Sequence, residues 1–163
     1  MPGSSPEGAR PGEVALPFDP GTRADAGLTF IGRIRSPWAK GTAPRNLRAA
    51  RETGRGAKIE LLPDYVPGLA GLDVGQAIQL LYWVDRGQRD LIVQAPRHTD
   101  GPRGVFALRS PVRPNPIALG TVVITSLDLG GGVIGIDATD AWDGTPVLDI
   151  KPWIGTVDTP PAP

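Results

Sequence analysis

The sequence predicts an all-β, mainly antiparallel fold of one domain, and three observations carry that prediction. Strand signals follow one another from residue 28 to residue 153, with one short helical stretch among them. Glycine, proline and aspartate punctuate those strands as turn formers. A length of 163 residues is enough for one core and divides poorly into two. Strands succeeding strands without intervening helices build an antiparallel barrel or sandwich.

Taken in order, residues 1–27 hold ten of the 41 glycines and prolines and no periodic apolar pattern. Such a segment buries too little apolar surface to offset its ordering entropy, so it is expected to be a flexible leader. The folded domain is expected over 28–156, followed by a flexible tail over 157–163. The first strand spans 28–35, where Phe30 and Ile34 share one parity and Arg33 and Arg35 the other. The single helix is expected over 44–52, with Pro44 in its first turn. Lys58, Ile59, Glu60 and Leu61 alternate as a strand. A longer one lines up Ile78, Leu80, Tyr82 and Val84 on one face and Leu81 and Trp83 on the other, which reads as covered on both sides. The polar stretch 85–90, containing Gly87, is expected to turn a hairpin into 91–93. A second hairpin joins 117–127 to 133–138 through the glycine-rich 128–132. The last strand runs over 147–153.

Composition excludes several functions. Formal charge is zero, so electrostatic attraction to nucleic acid has to be local. Residues 33–58 carry eight basic side chains against one acid, whereas 128–158 carry six aspartates against one lysine. Without cysteine there is no disulfide scaffold or thiolate metal site, and with no apolar run of signal-peptide or membrane-span length a cytoplasmic, non-membrane protein is expected. His98 is the only histidine and lies in a polar turn, so no metal is expected, and nothing places it beside Ser110 as a hydrolase would need. The glycines at 130–132 lack the strand-turn-helix setting of a parallel nucleotide-binding sheet.

The most informative segment is GVFALRSPVRPNPI at 104–117, where three prolines within six residues make a rigid, shaped loop feeding a strand. A second block, DAWDGTPVLDIKPW, occupies 140–153. Shorter ones are IGRIRSPW at 31–38, APRN at 43–46, GLD at 71–73 and LYW at 81–83. Together, and in this order, these blocks resemble the signatures of the TrmO/TsaA-like family, whose pattern reads GVFATRSPxRPNPIG and LDxxDGTPVLDIKPY. The likeness runs from about residue 30 to 154, with Trp153 in place of a tyrosine and Ala77 where the family has a histidine.

That resemblance implies a small dimeric β-barrel that uses S-adenosylmethionine to methylate the exocyclic amine N6 of threonylcarbamoyl-adenosine beside the anticodon of a tRNA. Cofactor contacts would fall on Pro37, Trp38, Ala77, Ile78, Arg103, Ala141, Trp142, Asp143, Gly144 and Thr145. Asp140 and Asp143 are the candidates for the reacting centre, since a carboxylate beside a sulfonium is favourable in a partly dry pocket; the alternative for each is turn-making. Trp38 is a candidate for stacking on a nucleobase. Arg45, Arg109, Arg113, Asn115 and Lys151 are candidates for RNA or substrate contact, the arginines because a guanidinium fork suits phosphate and carboxylate alike. The proline-stiffened loop and the Asp-Gly turn are expected to form one pocket. Two rival readings stay open: a paralogue methylating another nucleoside or small amine, and a non-catalytic dimeric barrel that binds nucleotide or RNA.

Overall fold

The computed structural model describes residues 10–84 and 86–163, which divide into two compact units. One unit comprises 1–27 and 84–118, the other 28–83 and 119–163. Residues 84–118, which lie inside the domain expected over 28–156, cluster with residues 10–27.

Among the described residues, nine strands alternate with a few short helical turns: β1 (Val14–Ala15), β2 (Gly32–Arg35), β3 (Ala57–Leu61), β4 (Ala77–Trp83), β5 (Leu91–Gln94), β6 (Arg103–Gly104), β7 (Ile117–Asp128), β8 (Val133–Ile136) and β9 (Pro146–Pro152). Six of them close a barrel in the order β2-β3-β8-β7-β4-β9. Alternation explains the barrel's core. Ile34, Ile59, Ile78, Leu80, Val122, Ile124, Ile134, Ile136 and Val147 are each at most 1% exposed, and every barrel strand contributes at least one. Burying each such side chain is worth roughly 1.5–3 kcal/mol. On β4 only Ile78, Leu80 and Tyr82 are buried. The opposite face is half-covered, short of the full cover expected on both sides.

The hairpin expected between 78–84 and 91–93 does not form. Both edges of β4 are taken, by β7 and β9, so β5 has no place beside it. Instead β5 is the centre of a three-stranded sheet, β1-β5-β6, in the other unit, and the Val84 N–H donates to the Pro116 carbonyl at 2.9 Å. The hairpin of β7 and β8 is present. The Asp128 carboxylate accepts from the N–H groups of Gly130 and Gly131, and Gly132 takes a positive φ of 68°.

Residues 10–27, expected to belong to a flexible leader, are tied down. Val14 pairs with Val93, the Leu16 N–H donates to Asp90, and the Glu13 carboxylate accepts from the N–H groups of Arg10 and Ala95. Composition alone misses this, because a two-residue edge strand needs no apolar period. Residues 1–9 of that leader, and Asp85 of the expected hairpin loop, lie outside the described residues. A short helical turn, α2 (Gly155–Asp158), closes the expected domain and takes in the first two residues, 157 and 158, of the expected tail. The helix α1 (Leu47–Glu52) starts later than expected. Asn46 is its N-cap, its side chain accepting from Ala49 N–H at 2.8 Å, so Pro44 precedes the helix.

Candidate functional site

In the barrel unit, the chain leaving β2 at 36–38 and the connection between β8 and β9 at 139–145 are woven into one structure. Asp143 N–H donates to the Trp38 carbonyl and Gly144 N–H to the Ile34 carbonyl, both at 2.8 Å. Ile34 N–H donates in return to the Thr145 carbonyl at 2.8 Å. The Ser36 hydroxyl donates to the Ala141 carbonyl at 2.7 Å, and its own N–H is received by the Asp143 carboxylate at 3.1 Å. The sequence dictates this locally. Short polar side chains cap their neighbours' backbone, Pro37 follows the end of β2, Pro146 opens β9, and Gly144 takes φ +79°, which side chains with a Cβ avoid.

The turn is open at one place. A Cβ on Gly144 would meet nothing within 4 Å, so a ligand has free approach to the backbone there. Asp143 is exposed beside it, and Asp140, half-buried, accepts from the Tyr82 hydroxyl at 2.9 Å. Arg33 reaches the same turn and donates to the Gly144 carbonyl at 2.9 Å. Arg35 holds its proton more firmly than usual, first through its hydrogen bond to Glu60 and in smaller part through the field of Asp143.

The fold brings Pro37, Trp38, Ala141, Trp142, Asp143, Gly144 and Thr145 together. Trp38, however, packs and does not offer a stacking face. It is 7% exposed, its indole N–H donates to the Thr139 carbonyl at 2.7 Å, and the Arg55 guanidinium lies over its ring at 4.9 Å. A buried indole with its donor satisfied belongs to the core. Ile78 is fully buried among the barrel side chains, and the Ala77 carbonyl is taken by Trp153 N–H. Thr145 spends its hydroxyl on the Trp142 carbonyl at 2.7 Å.

Of the remaining candidates, Arg45 is exposed just before α1, on an open cleft of about 250 Å³ that it lines with Asn46, Arg48, Ala49 and Glu52. Lys151 pairs with Asp149 at 2.8 Å, a contact that raises its proton affinity. Arg103, Arg109, Arg113 and Asn115 fall in the other unit, as does His98 in an exposed turn. Arg113 is a clamp for its own loop, donating to the carbonyls of Leu108 and Ser110 at 3.1 and 3.2 Å. Arg89 donates to the Pro114 carbonyl and to the Asn115 side chain. The proline-rich block thus belongs to one unit and the Asp-Gly turn to the other.

A family model described as the tRNA-methyltransferase O N-terminal domain matches residues 33–159. The chain belongs to this family. Its matched span includes the whole of the 36–38 and 139–145 weave. Among relatives, a probable S-adenosyl-L-methionine-binding protein of Archaeoglobus fulgidus is 42% identical over 133 residues, covering 81% of this chain and 35% of that protein. A tRNA (adenine(37)-N6)-methyltransferase of Mus musculus is 46% identical over 68 residues, covering 42% of this chain and 15% of that protein. The crystal structure of TrmO from Pseudomonas aeruginosa superimposes with a TM-score of 0.64 at 31% identity, covering 83% of this chain and 59% of that one. The chain thus spans little more than a third of the archaeal relative and under two thirds of the solved TrmO chain. Among the described residues no helix is long and apolar enough to cross a membrane.

Sequence reasoning missed Ser36, Tyr82 and Arg33. The first had a signal, since serine before proline is turn chemistry. Tyr82 had a weaker one, a polar tip in an apolar strand that needs a partner when buried. Arg33 had none, because its partner is a backbone carbonyl 111 positions away.

Proposed function

We propose that this tRNA-methyltransferase O family protein is an S-adenosylmethionine-dependent methyltransferase, working as a homodimer, whose substrate is N6 of threonylcarbamoyl-adenosine beside the anticodon of a tRNA. One observation carries the reading: the family's Asp-Gly-Thr turn is intact in sequence and lies open at Gly144, with Asp143 exposed and Asp140 held by Tyr82. The residues fit the cofactor. A cationic donor favours the neighbourhood of carboxylates, and a glycine turn with empty space before it admits a nucleoside against the backbone.

When bound, the donor supplies a methyl group already activated by its sulfonium. Residues of the turn contribute position. Tyr82 fixes one Asp140 oxygen, Ser36 engages one of Asp143, and Arg33 anchors the Gly144 carbonyl. Orientation of this kind supplies a large part of a barrier reduction. Contacts of Arg103, Arg109 and Asn115 with the substrate belong to the same proposal.

Calorimetric titration with S-adenosylmethionine, paired with nucleoside mass spectrometry of tRNA from a deletion strain, tests the reading. Expected are saturable cofactor binding and loss of methylated threonylcarbamoyl-adenosine. Unchanged methylated nucleoside would reject this substrate. It would favour a relative that methylates another nucleoside or a small amine, a reading supported by Ala77 standing where the family motif has histidine. Absence of cofactor binding would leave a non-catalytic RNA-binding or nucleotide-binding barrel.

A further inference from the structure

The residues of β2 and β3 that point out of the barrel form a block of four. Arg33 and Arg35 are exposed on β2 and Lys58 and Glu60 on β3, with Ile34 and Ile59 buried between them. The register sets Arg33 opposite Glu60 and Arg35 opposite Lys58. Strand geometry keeps such side chains within about 7 Å along a strand and about 5 Å across the pair. Pro146 lies beside Arg33 on β9 and Gly135 beside Lys58 on β8, and neither brings a charge.

This arrangement works against the sheet. Like charges directly opposite on paired strands are destabilising. Arg35 turns to Glu60 at 2.8 Å, and Lys58 makes no ion pair with an acid among the described residues. A sheet selected for stability alone would set an acid across from Lys58. The block also borders the turn of the site, since Arg33 holds the Gly144 carbonyl, and Arg55 extends the cationic surface over Trp38.

We propose that Arg33, Arg35 and Lys58, continued by Arg55, are the surface on which the phosphate backbone of the RNA substrate lies while its base is presented to the turn at 143–145. The proposal rests on the methyltransferase reading and adds a docking face to it. Guanidinium forks suit phosphate oxygens, and the gain comes from release of the counterions that RNA condenses. Glu60 is then an internal counter-ion that competes with phosphate for Arg35.

The test uses the full chain and a fluorescent anticodon stem-loop RNA, with affinity measured across potassium chloride from about 50 to 200 mM. Lys58→Gln is expected to weaken binding and to lower the slope of log affinity against log salt by about 0.7–0.9. Lys58→Glu should lower it further. Glu60→Gln should tighten binding, a gain that misfolding cannot imitate. An unchanged slope in Lys58→Gln, or no tightening in Glu60→Gln, overturns the surface. Should the native chain take up S-adenosylmethionine and methylate RNA while giving those results, only the surface is lost. Should it bind neither cofactor nor RNA, the methyltransferase reading falls and this face with it. Lys58-dependent adhesion to phosphatidylserine vesicles with RNA binding untouched also overturns it, assigning the block to a membrane surface.

Discussion

The Tyr82 hydroxyl donates to Asp140 Oδ1 at 2.9 Å, linking β4 to the connection that carries the Asp-Gly turn. Tyr82 is only 7% exposed, and this bond gives its polar tip a partner in a carboxylate that is itself half-buried. Tyr82→Phe keeps the ring and removes the donor. The expected cost is about 1–3 kcal/mol in urea unfolding, the range for stripping a partner from a buried polar group. Methyl transfer should fall through kcat more than KM, because Asp140 then loses its orientation. Stability lost with kcat untouched would make the pair purely structural.

Asp143 has a structural and an electrostatic side, and two substitutions separate them. Its carboxylate receives Ser36 N–H at 3.1 Å on the exposed surface, so Asp143→Ala should cost no more than about 0.5–1.5 kcal/mol of stability. Asp143→Asn retains the acceptor and loses the charge. Both are expected to weaken S-adenosylmethionine binding in calorimetry. Normal affinity in Asp143→Asn would remove the charge from the argument.

Two glycines predict opposite consequences of the same methyl group. At Gly144 a Cβ meets open space, and only the positive φ resists it, at about 1–2 kcal/mol. Gly144→Ala should therefore fold and lose cofactor affinity. At Gly32 a Cβ would collide with the Glu60 carbonyl oxygen across the β2–β3 pair, so Gly32→Ala should lower the melting temperature markedly. Equal melting temperatures for the two variants would contradict both assignments.

Acid should loosen the first strand. Backbone N–H groups of Arg10, first, and Ala95 hold the Glu13 carboxyl below the usual glutamate range. A depressed folded value means the stabilisation is present above the unfolded value of roughly 4.3 and disappears as pH falls through the folded one. The Ala95 amide resonance, followed by NMR down to roughly pH 3, should titrate below that ordinary value, and in Glu13→Gln it should not titrate. An ordinary midpoint at Ala95 would show that the bond is not formed in solution.

The barrel was legible because its information is local. Ile34, Ile59, Ile78 and Leu80 fall where alternation puts buried side chains, and the glycines at 130–132 sit in the β7–β8 turn. Pairing partners were not legible. The sequence around residues 85–90 has hairpin chemistry, and what decides against the hairpin is that β7 and β9 already occupy both edges of β4. The site was legible as motifs and illegible as contacts. Residues 141–145 and 37–38 do meet, yet Trp38 is enclosed by Thr139 and Arg55, and Arg113 spends one nitrogen on its own loop. Both depend on distant or backbone partners that no spacing reveals.

Because the six-stranded sheet closes on itself, each of its strands has a neighbour on both sides and none is an outer edge strand. Amyloid-like or donor-strand growth therefore has no template on the barrel. Any assembly of this unit, whether with its own copy or with RNA, has to be written in side chains, and point substitution can tune each partnership separately.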